Sequence, residues 1–270
     1  LPTLLLVTSS LSDNDSVFRN GYSFWPKEWS LEAYRYMATQ GQTIFRAYGI
    51  SILTTFIGTI SGLMLTAMLG YTLSRNELPG RKIINFLVFF TLLFNGGMVP
   101  TYVNTLHVKN TIFALLLPNN ILVNGFNVLL VRTYFNNNTP KELIESAMVD
   151  GAKEFRIFFS IIMPISKPIL ATVGLLIGIG YWNDWYNGLL YLTNTKLFSL
   201  QNYLNRILLD IQFMTQSMAG SAEAANALGK MPTITVRMAI AVIGILPLMI
   251  IFPFFQSYFA RGMTVGAVKG

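Results

Sequence analysis

Few residues in this chain have the type and spacing that catalysis or metal binding requires. A phosphate-binding loop needs the pattern G-x-x-x-x-G-K-[ST], but the only Gly-Lys pair, Gly229-Lys230, is followed by Met231 and preceded at the required distance by Ala224. The sequence has no Cys and a single His, His107, too few for a thiolate site or a zinc cluster. We therefore predict no catalytic residue, no metal site and no cofactor bound by this chain.

Charged residues are concentrated instead in residues 139–168, between two long apolar runs. Thr139 suits a helix N-cap, Pro140 suits the first helical position, and Glu142, three residues after Thr139, completes a capping box. Gly151 then ends this first helix. The segment is predicted to form two short helices joined at a glycine.

The second of these helices is predicted from its apolar spacing. One face at i, i+3, i+4 and i+7 would carry Phe155, Phe158, Phe159 and Ile162. Pro164 ends the pattern, because proline lacks the backbone N–H that a continuing helix needs.

The composition places the chain in a membrane. Hydrophobic residues make up 53% and charged residues 11% of its 270 residues, whereas soluble domains carry about 25% charged residues. The net charge is +7, but Lys and Arg lie at the ends of apolar runs and do not form the single basic face that nucleic acid requires. We predict a lipid environment and no nucleic-acid partner.

The apolar runs are long enough to cross a bilayer, which takes about 20 helical residues. No charge occurs between Arg46 and Arg75. The small residues of this run, which favour close helix packing in lipid, are Gly58, Gly62, Ala67 and Gly70. The predicted spans of a single transmembrane domain, residues 1–270, are residues 1–8 (the end of a first helix), 47–73, 83–102, 111–131, 169–192 and 238–260.

Cations flanking these runs predict which side of the membrane each loop faces, because short cytoplasmic loops are rich in Lys and Arg. The cations that share one side are Arg75, Arg81, Lys82, Arg132, Lys141, Lys153, Arg156, Lys167, Arg261 and Lys269. The short loop opposite holds only Lys109. Residues 132–168 are therefore predicted to face the cytoplasm, and residues 9–46 and 192–230 to face outward.

The spacing within the cytoplasmic segment resembles the EAA loop of bacterial ABC importer permeases, E-A-A-x3-G-x9-I-x-L-P. The matching positions are Glu145, Ser146, Ala147, Gly151, Ile161, Ile162, Met163 and Pro164. Ser146 for Ala and Met163 for Leu depart mildly in size. The resemblance implies that this loop docks into a cytoplasmic ATPase subunit, and the alternative is an amphipathic connector on the membrane surface.

The residues that this resemblance assigns to ATPase coupling lie on both sides of the glycine. They are Glu145, Ser146, Ala147, Asp150, Gly151, Phe155, Ile161 and Pro164.

Further segments resemble the oligosaccharide-uptake branch of this family. They are Asp150-Gly151-Ala152, Trp182-Asn183-Asp184-Trp185 and the tail 255–270. The resemblance implies an all-α membrane protein with the six-helix type I permease fold, whose first helix is only partly present. It also implies a multi-pass location in a bacterial inner or plasma membrane.

The same resemblance implies the partners. They are a second permease subunit completing a heterodimer, two cytoplasmic ATPase subunits that bind ATP and Mg, and an extracellular solute-binding protein. An amphipathic helix within 192–230, with Leu200, Leu204, Ile207, Leu208 and Ile211 on one face, is a candidate surface for the binding protein. Equally, this helix would suit the outer membrane face.

Candidates for the substrate path combine aromatic rings with planar polar side chains, the groups that bind oligosaccharides. They are Trp182, Asn183, Asp184, Trp185 and Asn187, and, around the break at Pro118, Asn119, Asn120 and Asn124. The alternative is an aromatic belt at the membrane surface with asparagines that cap helices.

Three other functions stay open at this point. An ion-coupled secondary transporter usually places ionisable residues within its spans, and Asp184 is the only acidic residue well inside a span-like run. An ABC permease for a solute other than sugar would share the loop motif. A membrane sensor or scaffold without transport is a third hypothesis.

Overall fold

The computed structural model describes residues 1–118, 123–217 and 233–267, with side chains described except at 214–217, 252 and 255–267. Asn119, Asn120 and Gly229-Lys230 lie outside the described residues, as do the side chains of the tail 255–267. The described chain is helical, with one isolated bridge between Ser12 and Trp29 and no strand. The predicted all-α fold is confirmed.

The helices of the first half, in chain order, are α1 (Pro2–Ser10), α2 (Asn14–Asn20), α3 (Glu32–Thr39), α4 (Gly41–Ser74), α5 (Arg81–Leu93), α6 (Met98–Thr105), α7 (Phe113–Leu116) and α8 (Gly125–Asn138). A 3-10 turn, Leu106–Val108, extends α6. Those of the second half are α9 (Lys141–Val149), α10 (Glu154–Ile157), α11 (Met163–Ile165), α12 (Lys167–Trp182), α13 (Tyr186–Tyr191), α14 (Leu200–Ser217) and α15 (Thr233–Ala267).

Among the described residues, two helices are long and apolar enough to cross a membrane: α4 and the Thr233–Ile251 part of α15. Two pairs of consecutive helices, each bent at a short break, are long and apolar enough only when each pair is counted as one span. They are Arg81–Leu93 with Met98–Val108, bent by 111°, and Glu154–Ile165 with Lys167–Tyr191, bent by 86°. The described helices therefore supply two to four spans, and the predicted set of five complete spans stays a prediction.

The helix bounds differ from the predicted runs at three places. Residues 111–131 do not form one helix: α7 ends at Leu116, just before Pro118, and α8 starts at Gly125. The run 83–102 breaks between Leu93 and Met98, and the run 169–192 breaks after Trp182. The break at Pro118 was expected, whereas the other two fall at Asn95-Gly96-Gly97 and Asn183-Asp184, short polar interruptions that the mean hydropathy of a long run does not register.

The described residues form two compact units. In the first, residues 1–51 with 193–250, buried polar groups join distant segments. The hydroxyl of Tyr48 donates to the carbonyl of Ile243 (2.5 Å), and Ser51 Oγ accepts from the N–H of Leu200 (2.7 Å). The predicted amphipathic helix is α14, whose buried face includes Leu200, Leu204 and Ile211.

The second unit, residues 52–192 with 251–270, has a core shared by α4, α8, α12 and the segment of the loop motif. The predicted small residues of α4 allow close packing here. A Cβ on Gly58 would lie 2.5 Å from the ring of Tyr181 in α12, and one on Gly70 would lie 2.9 Å from the side chain of Val131 in α8. These contacts hold α4 against its two neighbours.

The contact between Gly58 and Tyr181 predicts a specific sensitivity. Gly58→Ala should destabilise the fold by about 1–3 kcal/mol, because the added methyl group overpacks against the Tyr181 ring. Gly49→Ala in the same helix is the matched control, since a Cβ there meets nothing within 4 Å. Thermal unfolding of the purified protein in detergent measures the difference, and equal melting temperatures for the two variants would contradict this packing.

Candidate functional site

The loop motif forms an elbow, defined here as residues 141–165, in which α9 is followed by a glycine and a second helical stretch. The first helix ends in a Schellman motif. The N–H of Ala152 donates to the carbonyl of Ala147 (2.9 Å), and the N–H of Gly151 donates to that of Met148 (3.0 Å). Gly151 has φ +81°, a left-handed conformation that side chains with a Cβ rarely adopt. The predicted role of Gly151 as the end of the first helix is confirmed.

The predicted capping box at the start of α9 is wrong. The helix begins at Lys141, one residue later than the prediction requires, and Pro140 occupies the N-cap position with extended backbone. Thr139 therefore lies outside the cap, and its buried Oγ1 has no hydrogen-bond partner among the described residues. Because Pro140 is the N-cap, Glu142 is the second residue of the helix and not the third, the position that a reciprocal cap needs.

The predicted apolar face of the second helix is only half correct. Phe158 and Ile162 are buried, but Phe155 is 67% and Phe159 46% exposed, and Ile157 is buried in their place. The cause is a π-helical turn, Phe158–Ile162, between α10 and α11. A π turn bonds residues five apart, so Ile157 and Ile162 lie on the same side, which a period of 3.6 residues does not predict.

The elbow is attached to the end of α4 by a polar contact. The hydroxyl of Tyr71 donates to Glu154 Oε2 (2.5 Å), and Arg75 Nη2 lies 3.4 Å from Glu154 Oε1. Arg75 Nη2 also reaches the sulfur of Met148 in α9 (3.8 Å). Both halves of the elbow are thus bonded to one anchor at the end of α4: Arg75, which directly follows this helix, reaches Met148 and Glu154, and Tyr71 within it reaches Glu154.

Aromatic packing surrounds this polar contact. The Tyr71 ring lies 5.3 Å from that of Phe158 and 6.4 Å from that of Phe135, between ring centres. Ile144 is buried and Ala147 and Ala152 are partly buried in the same core. The inner side of the elbow is therefore fixed by apolar contacts, and its position depends on α4 and α8.

The outer side of the elbow is exposed. Glu145, Ser146, Asp150 and Pro164 are exposed, and Ile161 is partly buried. Val149 is 88% exposed and Phe155 67% exposed. Exposed apolar side chains bordered by charged residues mark a surface that binds another protein.

Sequence spacing does not identify Tyr71 and Arg75 as parts of this site. They lie 83 and 79 residues before Glu154. Their position near the end of an uncharged run is the only sequence signal, and many residues share it.

The predicted substrate-path residues around Trp182 are not one exposed cluster. Trp182 is buried at 5% exposure and Asn187 is also buried, whereas Asn183 and Trp185 are exposed. Asp184 accepts hydrogen bonds from the backbone N–H of Asn187 (3.1 Å) and from its Nδ2 (2.9 Å) at the start of α13. Asp184 therefore has a structural role at this break.

The second predicted group, near Pro118, is described only at Asn124. Its Oδ1 accepts from the N–H of Phe126 (2.9 Å) and caps α8. Asn124 also lines a cavity beside α5.

Comparison with known proteins places this geometry in a family. Residues 78–265 match the family model described as "Binding-protein-dependent transport system inner membrane component". The protein LplC of Bacillus subtilis is 35% identical over 272 residues, covering 100% of this chain and 89% of that protein.

Two further relatives have names that describe transport. The polygalacturonan/rhamnogalacturonan transport system permease protein YtcP of Bacillus subtilis is 34% identical, covering 100% of this chain and 92% of that protein. The arabinooligosaccharides transport system permease protein AraQ of Halalkalibacterium halodurans is 30% identical, covering 100% and 91%.

A solved structure is also similar. It is a chain of a bacterial ABC transporter involved in the import of the acidic polysaccharide alginate, with a TM-score of 0.80 and 29% identity, covering 96% of this chain and 90% of that chain.

The anchor on α4 gives a testable prediction. Tyr71→Phe removes the donor to Glu154 and should weaken the elbow by about 1 kcal/mol, because a bond to a partly exposed carboxylate contributes modestly. Amide hydrogen exchange in residues 154–162 should then be roughly fivefold faster. Tyr134→Phe is the control, since no described residue bonds its hydroxyl; unchanged exchange in Tyr71→Phe would contradict the anchor.

Proposed function

Because this chain belongs to the family of binding-protein-dependent transport system inner membrane components, we propose that it is the permease subunit of an ATP-driven oligosaccharide importer. The similarity to a chain of a bacterial ABC transporter, at a TM-score of 0.80 over 96% of the sequence, confirms the predicted ABC importer fold. Sugar polymers or oligosaccharides appear in the descriptions of three similar proteins: polygalacturonan/rhamnogalacturonan, arabinooligosaccharides and alginate. These names support a saccharide as the transported solute.

The elbow is the element that receives the movement of the ATPases in this proposal. Its observed geometry supports that role: one side is buried against α4, α8 and α12, and the other exposes Glu145, Ser146, Val149 and Phe155. The exposed side would seat in a groove of a cytoplasmic ATPase subunit, which binds the ATP and Mg. A second permease completes the pathway, and an extracellular binding protein delivers the sugar.

Transmission from the elbow to the membrane needs a stiff connection. Three contacts support one: the Schellman motif fixes the angle at Gly151, the Tyr71–Glu154 bond ties α10 to the end of α4, and the aromatic rings of Phe135 and Phe158 fill the space between them. A push on α9 would therefore displace α4 along with it. This shared anchor is the observation on which the proposed coupling depends.

Ion-coupled transport has less support. No acidic residue lies between Arg46 and Arg75 in α4, and Asp184 is bonded to Asn187 at a helix start. A proton or ion relay needs ionisable groups that exchange partners within the spans. The power source therefore fits a separate ATPase better than an ion gradient.

The two power sources are separated by one experiment. The test uses proteoliposomes that hold the full complex of two permeases, ATPases and binding protein. They should take up a labelled arabinooligosaccharide or raffinose only when ATP is enclosed in the lumen, on the side of the ATPase subunits. Uptake driven by a proton or sodium gradient without the ATPase subunits would establish the secondary transporter instead. Uptake of a non-sugar solute alone would establish an ABC permease of another specificity.

Gly151 gives a test of coupling through the elbow. Gly151→Val should lower sugar uptake per ATP hydrolysed at least about tenfold, because a β-branched residue at φ +81° adds strain of about 1–3 kcal/mol and changes the angle between the two helices. Since a Cβ at this position meets nothing within 4 Å, the effect would come from the backbone and not from a clash.

Gly151→Asn is the matched control, since Asn tolerates the left-handed conformation. It should retain most uptake, with equal amounts of assembled complex for the two variants. Equal coupling ratios in Gly151→Val and Gly151→Asn would show that the elbow angle has no role in transport.

A further inference from the structure

We propose that the break between α5 and α6 forms a subsite for one neutral sugar unit of the transported oligosaccharide; this inference rests on the proposed function. The break borders an open cavity of about 630 Å³, whose lining at residues 91–96 is exposed, large enough for a sugar unit. It is lined by residues of α5, of the break, of α6 and of the start of α8, among them Thr91, Phe94, Asn95, Thr101 and Asn124. None of these residues was assigned to a coupling role above.

The backbone at this break is the first argument for a polar pathway. The chain leaves helical geometry after Leu93 and resumes it at Met98, and the two helices differ in direction by 111°. Together they are apolar enough for one span. Backbone groups outside a helix are tolerated at membrane depth only where they are buried in protein or face a water-filled cavity.

Two asparagine side chains, Asn95 and Asn124, belong to the lining of the same cavity. Asn95 Oδ1 accepts from the N–H of Gly97 (2.9 Å), and Asn124 Oδ1 accepts from the N–H of Phe126 (2.9 Å). Each amide oxygen is therefore held by backbone, while neither NH2 group has a partner in the described part of the chain. Both residues line the cavity and can donate to sugar hydroxyl oxygens.

Two threonines complete the polar set. Thr91 Oγ1 donates to the carbonyl of Val88 (2.7 Å), and Thr101 Oγ1 donates to that of Gly97 (2.8 Å). A hydroxyl that donates to backbone keeps its lone pairs as acceptors. The cavity thus offers amide donors and hydroxyl acceptors, the complementary groups for sugar hydroxyls.

An aromatic ring and a close helix contact shape the apolar part of the cavity. The Phe94 ring lines it and is stacked on Phe90, with ring centres 4.3 Å apart and planes at 18°. A Cβ on Gly125 would lie 3.0 Å from the carbonyl oxygen of Val88 and 3.1 Å from Thr91 Oγ1, so the start of α8 touches α5 directly. The ring and the wall are therefore held in place by their neighbours.

The absence of charge in the lining selects the class of sugar. All twelve lining residues are uncharged. A uronate carboxylate is recognised in proteins by Arg or Lys through charge-assisted hydrogen bonds. This cavity therefore suits a neutral pentose or hexose unit.

The chain has no Cys, which makes single-cysteine labelling a direct test. In the full complex, Thr101→Cys should react with a charged, membrane-impermeant thiol reagent, because the cavity is wetted. Leu93→Cys, at an exposed position of α5 that does not line the cavity, is the control and should stay unlabelled. Arabinotriose or raffinose should protect Thr101→Cys, whereas trigalacturonate at the same concentration should not.

Asn124→Ser, added to Thr101→Cys, tests whether the Asn124 amide binds sugar while the cap of α8 is kept. Serine keeps an oxygen that can cap α8 but lacks the amide donors, so the half-protecting concentration of the neutral sugar should rise about three- to tenfold. Asn20→Ser, at an exposed asparagine outside the cavity, should leave it unchanged.

The outcomes decide the two proposals separately. Lack of labelling at Thr101→Cys, lack of protection by neutral sugars, protection by trigalacturonate alone, or an unchanged half-protecting concentration in Asn124→Ser would each overturn the neutral-sugar subsite. Failure of the unsubstituted complex to take up any of the three sugars with ATP would instead overturn the proposed function.

Discussion

The main physical constraint on this chain is that its backbone polar groups must be paired in surroundings too apolar to solvate them. Long helices satisfy the constraint over most of the described residues, and the interruptions satisfy it with side chains. Asn95, Asn124 and Asp184 each lie at a break and each accept from the N–H of a residue two or three positions further on. Polar side chains within apolar runs therefore serve first to restart helices, and only those with groups left over can also bind a solute.

This distinction separates the two groups of candidate path residues. In the segment around Trp182, Asp184 accepts from Asn187 with both carboxylate oxygens and Trp182 is buried, which leaves the exposed Asn183 and Trp185 as the side chains most open to a solute. Asn95 and Asn124 use only their amide oxygens. The α5–α6 break, in a region where the sequence pattern indicated an uninterrupted span, therefore offers amide donors to a sugar, and the sequence pattern did not indicate the one on Asn95.

The elbow shows a similar division of tasks between its faces. Its inner face is held by Ile144, Ile157 and Ile162, and by the bond between Tyr71 and Glu154. Its outer face keeps exposed apolar and charged side chains next to one another. A rigid inner attachment with an exposed outer surface is what a connector between a cytoplasmic motor and membrane helices needs, because a loosely attached surface would absorb movement without passing it on.

The sequence by itself determined the helical class, the membrane environment, the family and the position of Gly151, because each depends on local composition or on fixed spacing along the chain. It also indicated the small residues of α4 and the amphipathic face of α14. Local patterns were wrong where one residue of register matters: the capping box at Thr139 and the face that carries Phe155 and Phe159. Only the tertiary structure decided that a π turn buries Ile157, that Tyr71 and Arg75 hold Glu154, and that Asn95 and Asn124 border one cavity. Contacts and shared cavity walls between residues separated by 29 to 83 positions depend on how helices pack, and no spacing within a single helix contains that information.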